Sequence, residues 1–187
     1  AACKKKHRSK HKKKCERRAA ELHDIELFKQ PPPKEDCPIC MLLLPSLFTG
    51  SKYKSCCGTI ICSGCIHAVQ MRDGGVGLCP FCRTPMPTTD EESNEQYDKR
   101  AELDDAVSIY NLGCFYHDGM YGLPQDYDKA LEFYHKAGEL GHATSYYSIA
   151  GAYYVGNGVG RDEKKANHYF ELAAMGGHID ARHNLGV

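Results

Sequence analysis

The sequence reads CPIC at residues 37–40, CCG at 56–58, CSGC at 62–65 and CPFC at 79–82, so four close pairs of cysteines fall between residues 37 and 82. These four close pairs hold most of the chain's 11 cysteines. A Cys-x-x-Cys turn presents two thiolates to one metal ion, so three such turns with a fourth close pair indicate tetrahedral zinc sites. The polybasic N-terminus has no apolar run behind it, so no secretory signal is predicted. We therefore expect an intracellular protein, cytoplasmic or nuclear. In such proteins, close pairs of cysteines are typical of metal ligands and not of disulfides.

The order and spacing of these cysteines resemble a RING finger. In that family the ligand pairs interleave, and the resemblance implies two structural zinc ions within a small α+β domain at 37–86. It assigns one ion to Cys37, Cys40, Cys62 and Cys65, and the other to Cys56, Cys57, Cys79 and Cys82. All eight ligand places are then filled, so both ions are structural and neither is catalytic. Structural metal ions of this kind allow a domain with little apolar core to fold.

The second ligand pair departs from the common RING pattern. Most members have Cys-x-His there, whereas the histidine position is Thr59 in this chain, which matches the all-cysteine subclass better. Adjacent Cys56 and Cys57 reach one ion only through a turn, which Gly58 permits. An alternative register takes Cys57 as the third ligand, leaves Cys56 spare and completes the site with His67 or water.

The RING resemblance implies a ubiquitin ligase that holds a ubiquitin-charged conjugating enzyme in a reactive pose, without a covalent intermediate of its own. The positions that match the family's docking residues are Ile39, Val69, Pro80 and Arg83. The competing interpretation is that the three apolar residues are core or turn residues and that the arginine is merely solvated. The whole protein is then a non-catalytic zinc-binding scaffold. No phosphate loop or Ser-His-Asp arrangement supports a kinase or a hydrolase.

From about residue 97 the chain repeats itself, which indicates a helical array. Three positions recur 37 residues later: Leu112, Tyr116 and Gly119 as Ile149, Tyr153 and Gly156. Five recur 36 residues later: Asp126, Ala130, Tyr134, Ala137 and Gly141 as Asp162, Ala166, Phe170, Ala173 and Gly177. The pattern predicts helices at 106–117, 126–139, 143–155 and 162–175. Asp126 and Asp162 are suited to cap the second helix of each copy, and Gly141 and Gly177 to end it.

This repeat is similar to the Sel-1-like repeat, which itself resembles the tetratricopeptide repeat. The resemblance covers 97–187 as a half-repeat, two full repeats and the start of a third, and it implies an all-α solenoid. It also implies that the repeats recruit a substrate or adaptor protein. We expect most aromatic residues of this region, and Cys114, to be core residues.

The remaining segments are defined by charge and proline. Residues 1–18 carry ten Lys or Arg and one Glu although the whole chain has a net charge of zero, and we expect a disordered basic tail there. Nucleic acid is a weaker candidate partner for it. The cysteines and histidines at 3, 7, 11 and 15 recur every four residues, but on a helix the outer two are ~18 Å apart, too far for one ion. We expect a short helix and Pro-rich linker at 19–36, an acidic linker at 87–96, no membrane span, and a chain truncated at both ends.

Overall fold

A computed structural model describes residues 8–30, 33, 35–45, 50–72, 74 and 77–186, and for 8–10 the backbone alone. The described residues form eight helices and two strands. In chain order they are α1 (Arg8–Leu27), β1 (Ser51–Lys54), β2 (Thr59–Cys62), α2 (Ser63–Arg72), α3 (Asp90–Ala101), α4 (Ala106–Asp118), α5 (Tyr127–Glu139), α6 (Ala143–Val155), α7 (Glu163–Met175) and α8 (Ile179–Leu185).

The cysteine-rich region is built around one antiparallel hairpin. Strand β1 pairs with β2 in a register that places Ser51 opposite Cys62 and Lys54 opposite Thr59, and α2 follows directly. The buried apolar residues beneath the hairpin are few, since Ile61 and Ile66 are joined there mainly by cysteine side chains. A core of this size does not stabilise a domain of under about 70 residues by itself, which is typical of small domains held together by disulfides or metal ions.

Helices α3 to α8 form a solenoid in which each helix packs against the next, and the predicted helical repeat is confirmed. Asp126 accepts a hydrogen bond from the backbone of Lys129, and Asp162 accepts from Lys164 and Lys165, so both aspartates cap their helices as predicted. The two glycines that follow those helices, at 141 and 177, have φ values of 91° and 92°, which favour glycine.

Equivalent aromatic contacts recur in the two repeats. The rings of Tyr116 and Phe133 are stacked with their centres 5.6 Å apart, and the ammonium of Lys129 lies 5.0 Å from the centre of the Tyr116 ring. In the second repeat Tyr153 stacks on Tyr169 at 5.7 Å, and Lys165 lies 5.0 Å from the Tyr153 ring. The expectation that aromatics of this region serve packing therefore holds for these residues.

The N-terminal segment differs from the prediction, because α1 begins at Arg8 and includes most of the segment expected to be a disordered tail. The physical reason is that ion pairs from Lys12 to Glu16 and from Arg17 to Glu21 have the i,i+4 spacing that supports a helix. Near its other end, Leu27 is 7% exposed and packs into the core of the second repeat. Residues 1–7, with two members of the proposed four-residue series, lie outside the described residues.

The expected acidic linker at 87–96 is also partly helical. Helix α3 begins at Asp90, and Thr89 caps it by accepting from the Glu92 backbone. Three acidic residues in the first turn, at 90, 91 and 92, stabilise the positive end of the helix dipole. No helix of the described part of the chain is long and apolar enough to cross a membrane.

Candidate metal centres and the surface around them

The first Cys-x-x-Cys pair lies in a tight knuckle. The Cys37 backbone N–H donates to the Leu42 carbonyl at 2.8 Å, and the Met41 N–H donates to the Cys37 carbonyl at 2.9 Å. Met41 has a φ of 56°, a left-handed conformation that is uncommon for a residue with a side chain. The turn therefore places Cys40 beside Cys37 at the cost of strain at the next residue.

The last pair repeats this geometry. The Cys79 N–H donates to the Thr84 carbonyl at 2.8 Å, and the Arg83 N–H donates to the Cys79 carbonyl at 3.0 Å. Arg83 has a φ of 63°, matching the strained residue of the first knuckle. Two separate segments thus adopt the same strained turn, which indicates a common task for their cysteines.

The structure brings eight cysteines together as two groups of four. Within each group the sulfur atoms all lie within 4.8 Å of one another. The groups are Cys37, Cys40, Cys62 and Cys65, and Cys56, Cys57, Cys79 and Cys82, the same division that the RING resemblance implies. Each group combines one knuckle with a pair from the hairpin region, so the pairs interleave along the chain.

The sulfur separations fit tetrahedral zinc. Four Zn–S bonds of about 2.3 Å at tetrahedral angles place neighbouring sulfurs about 3.8 Å apart. In the first group the Cys40 and Cys62 sulfurs are 3.8 Å apart. In the second group the Cys57 sulfur is 3.9 Å from that of Cys79. Disulfide sulfurs lie at about 2.05 Å, so these spacings suit a shared ion and not a covalent bond.

Two thiols of the first group have pKa values shifted in opposite directions. Burial raises the pKa of Cys37, but hydrogen bonds from the backbone at Cys40, Cys62 and Ile39 outweigh it and lower the pKa to about 6. Burial and the neighbouring thiols raise the pKa of Cys65 to about 12. Four thiolates so close together repel one another, and a divalent ion reverses that repulsion. The residues present therefore fit a structural zinc ion.

The second group has the same electrostatic pattern. Burial acts to raise the pKa of Cys82, but hydrogen bonds from the Thr84 side chain and backbone bring it to about 6. Burial and the contact with Cys82 raise the pKa of Cys56. The Cys82 and Cys56 sulfurs are 3.4 Å apart.

Both adjacent cysteines of the hairpin turn lie in the second group. Gly58 has a φ of 70°, which provides the turn that two neighbouring ligands need. His67 lies exposed on α2 and belongs to neither group of described cysteines, so the geometry favours the register that uses Cys56 over the one that leaves it spare.

The predicted docking residues are all accessible. Ile39 is 38% exposed, Val69 and Pro80 are partly exposed, and Arg83 is exposed. Further apolar side chains around the knuckles are exposed as well, and the sequence did not single them out. These are Met41, Leu42, Leu43 and Phe81. The available signal was that Phe81 occupies in its knuckle the position that Ile39 occupies in the first.

The hairpin of the cysteine module packs directly on the solenoid. The Tyr53 hydroxyl donates to Asp105 Oδ2 at 2.8 Å, and Arg100 donates to the same oxygen from Nε at 3.0 Å and from Nη2 at 2.6 Å. The other carboxylate oxygen of Asp105 accepts from the backbone of Val107 and Ser108 and so caps α4. Burial alone raises the pKa of Asp105, but these donors, led by Arg100, hold it below its usual value.

Further contacts extend this junction. The Ser55 hydroxyl donates to Gln96 Oε1 at 2.8 Å, and the Tyr53 and Tyr97 ring centres are 5.9 Å apart. A Cβ at Gly58 would lie 2.1 Å from Arg100 Nη2, so the turn that bears Cys56 and Cys57 fits closely against the Arg100 side chain. The second cysteine group is therefore physically joined to the start of the repeats.

Comparison with known proteins identifies the repeats. The Sel1 repeat model matches residues 106–142 and 143–178. A protective antigen of uropathogenic Escherichia coli with an SLR fold superposes with a TM-score of 0.50 at 24% identity, covering 65% of this chain and 24% of that chain, and it shows the fold alone. The presence of Sel1 repeats is thus confirmed, and such repeats mediate protein–protein interactions.

Three curated relatives match parts of the chain. Cytochrome c oxidase assembly factor 7A of Xenopus laevis is 35% identical over 74 residues, 40% of this chain and 32% of the relative. The ERAD-associated E3 ubiquitin-protein ligase component HRD3B of Arabidopsis thaliana is 32% identical over 99 residues, 52% of this chain and 15% of the relative. E3 ubiquitin-protein ligase GW2 of Oryza sativa subsp. indica is 33% identical over 81 residues, 37% of this chain and 18% of the relative. The chain thus spans a third or less of the length of each.

Proposed function

We propose that this protein is a RING-type ubiquitin ligase whose cysteine module, residues 37–86, docks a ubiquitin-charged conjugating enzyme. Its Sel1 repeats, within residues 97–187, recruit a substrate or adaptor protein. The observation that carries the proposal is the interleaved grouping of eight cysteines into two sets with zinc-like sulfur spacing.

Two relatives support this reading. One is named as a component of an E3 ubiquitin-protein ligase and another as an E3 ubiquitin-protein ligase. Both matches cover a minor part of the relative, so they support the proposal and do not carry it. The accessible positions of Ile39 and Arg83 on the two knuckles agree with a docking surface there.

The proposed mechanism depends on positioning. Zinc, when bound, supplies no chemistry beyond holding four thiolates in place at each site. Ile39, Val69 and Pro80 offer apolar contacts to the conjugating enzyme. The planar guanidinium of Arg83 donates hydrogen bonds to carbonyls of both the enzyme and ubiquitin. Restricting the thioester to a reactive geometry accelerates the attack by a substrate lysine.

A reconstituted reaction with activating enzyme, a broad panel of conjugating enzymes, ubiquitin and ATP tests the proposal. We expect ubiquitin chains that require both the protein and at least one conjugating enzyme. Arg83→Ala should slow their formation about tenfold or more, since it removes charge-assisted hydrogen bonds. Arg161→Ala, which removes a positive charge from an exposed turn of the repeats, should leave the rate unchanged.

The competing function is a non-catalytic zinc scaffold. A folded, zinc-loaded protein that yields no chains with any conjugating enzyme of the panel would refute the ligase proposal and favour that scaffold. Chain formation that Arg83→Ala and Arg161→Ala affect equally would refute the role of Arg83.

A further inference from the structure

A cleft of about 380 Å³ separates the β1 strand from the first helix of the repeats, α4. This volume lies in the range of about 300–1,000 Å³ that small-ligand sites occupy, so it accommodates a short peptide segment and not a folded domain. Neither the cysteine groups nor the predicted docking residues line it.

One wall of the cleft is the edge of a strand. Ser51, Lys52 and Tyr53 are consecutive, and all three line the cleft. Because alternate side chains of a strand point to opposite faces, three consecutive residues share a cleft when it lies along the strand's edge. The wall therefore presents main-chain groups as well as side chains.

The register of the hairpin shows which main-chain groups point into that edge. The Ser63 N–H donates to the Gly50 carbonyl at 2.7 Å, which makes that pair a hydrogen-bonded one. Hydrogen-bonded pairs alternate in an antiparallel ladder, so Lys52 is bonded toward β2 while the N–H and C=O of Tyr53 point away from it. Outside the hairpin, neither main-chain group of Tyr53 has a hydrogen bond to the backbone of another described residue.

The opposite wall is one face of α4. Val107, Tyr110, Asn111 and Cys114 have the spacing of a single helix face, and all four line the cleft. The wall continues to α6, which contains no Asp, Glu, Lys or Arg. Of the described residues that line the cleft, Lys52 is the one with a charged side chain, and it lies exposed on β1. The residues of α4 and α6 that line the cleft are uncharged, so a charged side chain inserted between them would lose its hydration without an ion-pair partner in that wall.

We propose that this cleft binds an extended, uncharged peptide segment of another protein, which pairs with β1 at Tyr53 and places an apolar side chain against α4. Pairing with an exposed strand edge is a recurrent mode of peptide recognition, in which main-chain hydrogen bonds supply affinity and side-chain pockets supply specificity. The inference rests on the recruiting role proposed for the repeats, and it does not require ligase activity.

The test is a selection from a phage-displayed library of random 12-residue peptides on the full chain, with counter-selection on Asn111→Arg. The expected consensus has apolar residues at alternate positions and no charge at its centre. A synthetic peptide with that consensus should bind Asn111→Arg at least about tenfold more weakly than the unmodified chain. Asn167→Arg, the same change on the exposed surface of α7, should bind within about twofold of the unmodified chain.

A second measurement leaves the protein unaltered. Each backbone nitrogen of the synthetic peptide is methylated in turn. Methylation at the position opposite Tyr53 should weaken binding about tenfold, and methylation at positions other than this one and its neighbours should have little effect. No enrichment over the counter-selection, a charged consensus, or binding that no single methylation weakens would overturn the proposal. Dimerisation that Asn111→Arg abolishes and Asn167→Arg preserves would assign the cleft to a second copy and also overturn it. The assay contains no conjugating enzyme or ubiquitin, so its failure is distinct from failure of the ligase proposal.

Discussion

Replacing Asp105 with asparagine should uncouple the cysteine module from the repeats. One carboxylate oxygen of Asp105 caps α4, and the other accepts hydrogen bonds from Tyr53 and from two nitrogens of Arg100. Asparagine caps a helix about as well as aspartate does. The change Asp105→Asn therefore keeps the cap and removes the charge that the two donors share.

The structure sets the size of the effect. The Asp105 side chain is 11% exposed and that of Arg100 is 27% exposed, so water replaces the lost interaction incompletely. Hydrogen bonds to charged groups are worth about 1.5–3 kcal/mol each, and partial exposure of the arginine reduces that value. We expect a loss of about 2–3 kcal/mol in the free energy of unfolding. For a chain of this size the melting temperature should fall by about 5–10 °C.

Asp126→Asn is the matched control, because Asp126 caps α5 and takes no part in the junction. It should cost at most about 0.5 kcal/mol. Thermal and denaturant unfolding of both variants, followed by circular dichroism of the zinc-loaded protein, provides the comparison. Tyr53→Phe should lower the free energy of unfolding less in the Asp105→Asn background than in the Asp126→Asn background. In the Asp105→Asn variant the tyrosine hydroxyl has already lost its charged acceptor.

Equal stability losses in Asp105→Asn and Asp126→Asn would refute this reasoning. The carboxylate would then act on α4 alone, and the contact with Tyr53 would contribute nothing measurable. Strictly additive losses for Tyr53→Phe and Asp105→Asn would lead to the same conclusion.

Two further predictions concern the repeats. Burial, with a smaller contribution from His178, lowers the pKa of His142 from 6.5 to about 4, so the unfolded chain binds the proton more readily and stability should fall as pH drops from about 6.5 toward 4. Denaturant titrations should show a loss of about 2 kcal/mol between pH 7 and pH 5 that His142→Asn removes, and an unchanged pH dependence would contradict the assignment. A Cβ at Gly113 would lie 2.6 Å from the Tyr134 ring, whereas one at Gly151 meets open space. Gly113→Ala should therefore destabilise the protein by about 1–3 kcal/mol and Gly151→Ala should stabilise it by up to about 1 kcal/mol, and the opposite order in melting experiments would show the packing to be wrong.

The helices of the repeats were predictable because their signals are local. A helix cap needs an acceptor within three residues of the N–H it binds, and the repetition at 36 and 37 residues marks each such position twice. The grouping of the cysteines followed from their order and spacing through the RING resemblance. By contrast, α1 was predicted to start too late, because its charge run suggested disorder although the i,i+4 pairs of opposite charge support a helix.

The junction and the cleft were not predictable from the chain alone. Tyr53 and Asp105 are 52 positions apart, and each residue has an ordinary local explanation, one as a strand aromatic and the other as a helix cap. Their hydrogen bond depends on how the cysteine module packs against the repeats, and the periodicity of the sequence does not indicate that packing. The free strand edge at Tyr53 was not predictable from the sequence either, because the pairing register of β1 and β2 decides which main-chain groups point outward.

Counting bound zinc by native mass spectrometry in two double variants tests whether two zinc ions bind to the interleaved cysteine groups. Cys40→Ser with Cys62→Ser removes two ligands from one predicted group, whereas Cys40→Ser with Cys56→Ser removes one ligand from each. We predict two zinc ions for the unmodified chain, one for the first variant and fewer than one for the second. One zinc in the second variant and none in the first would show that the cysteine pairs bind zinc in sequential order, which would contradict the interleaved grouping.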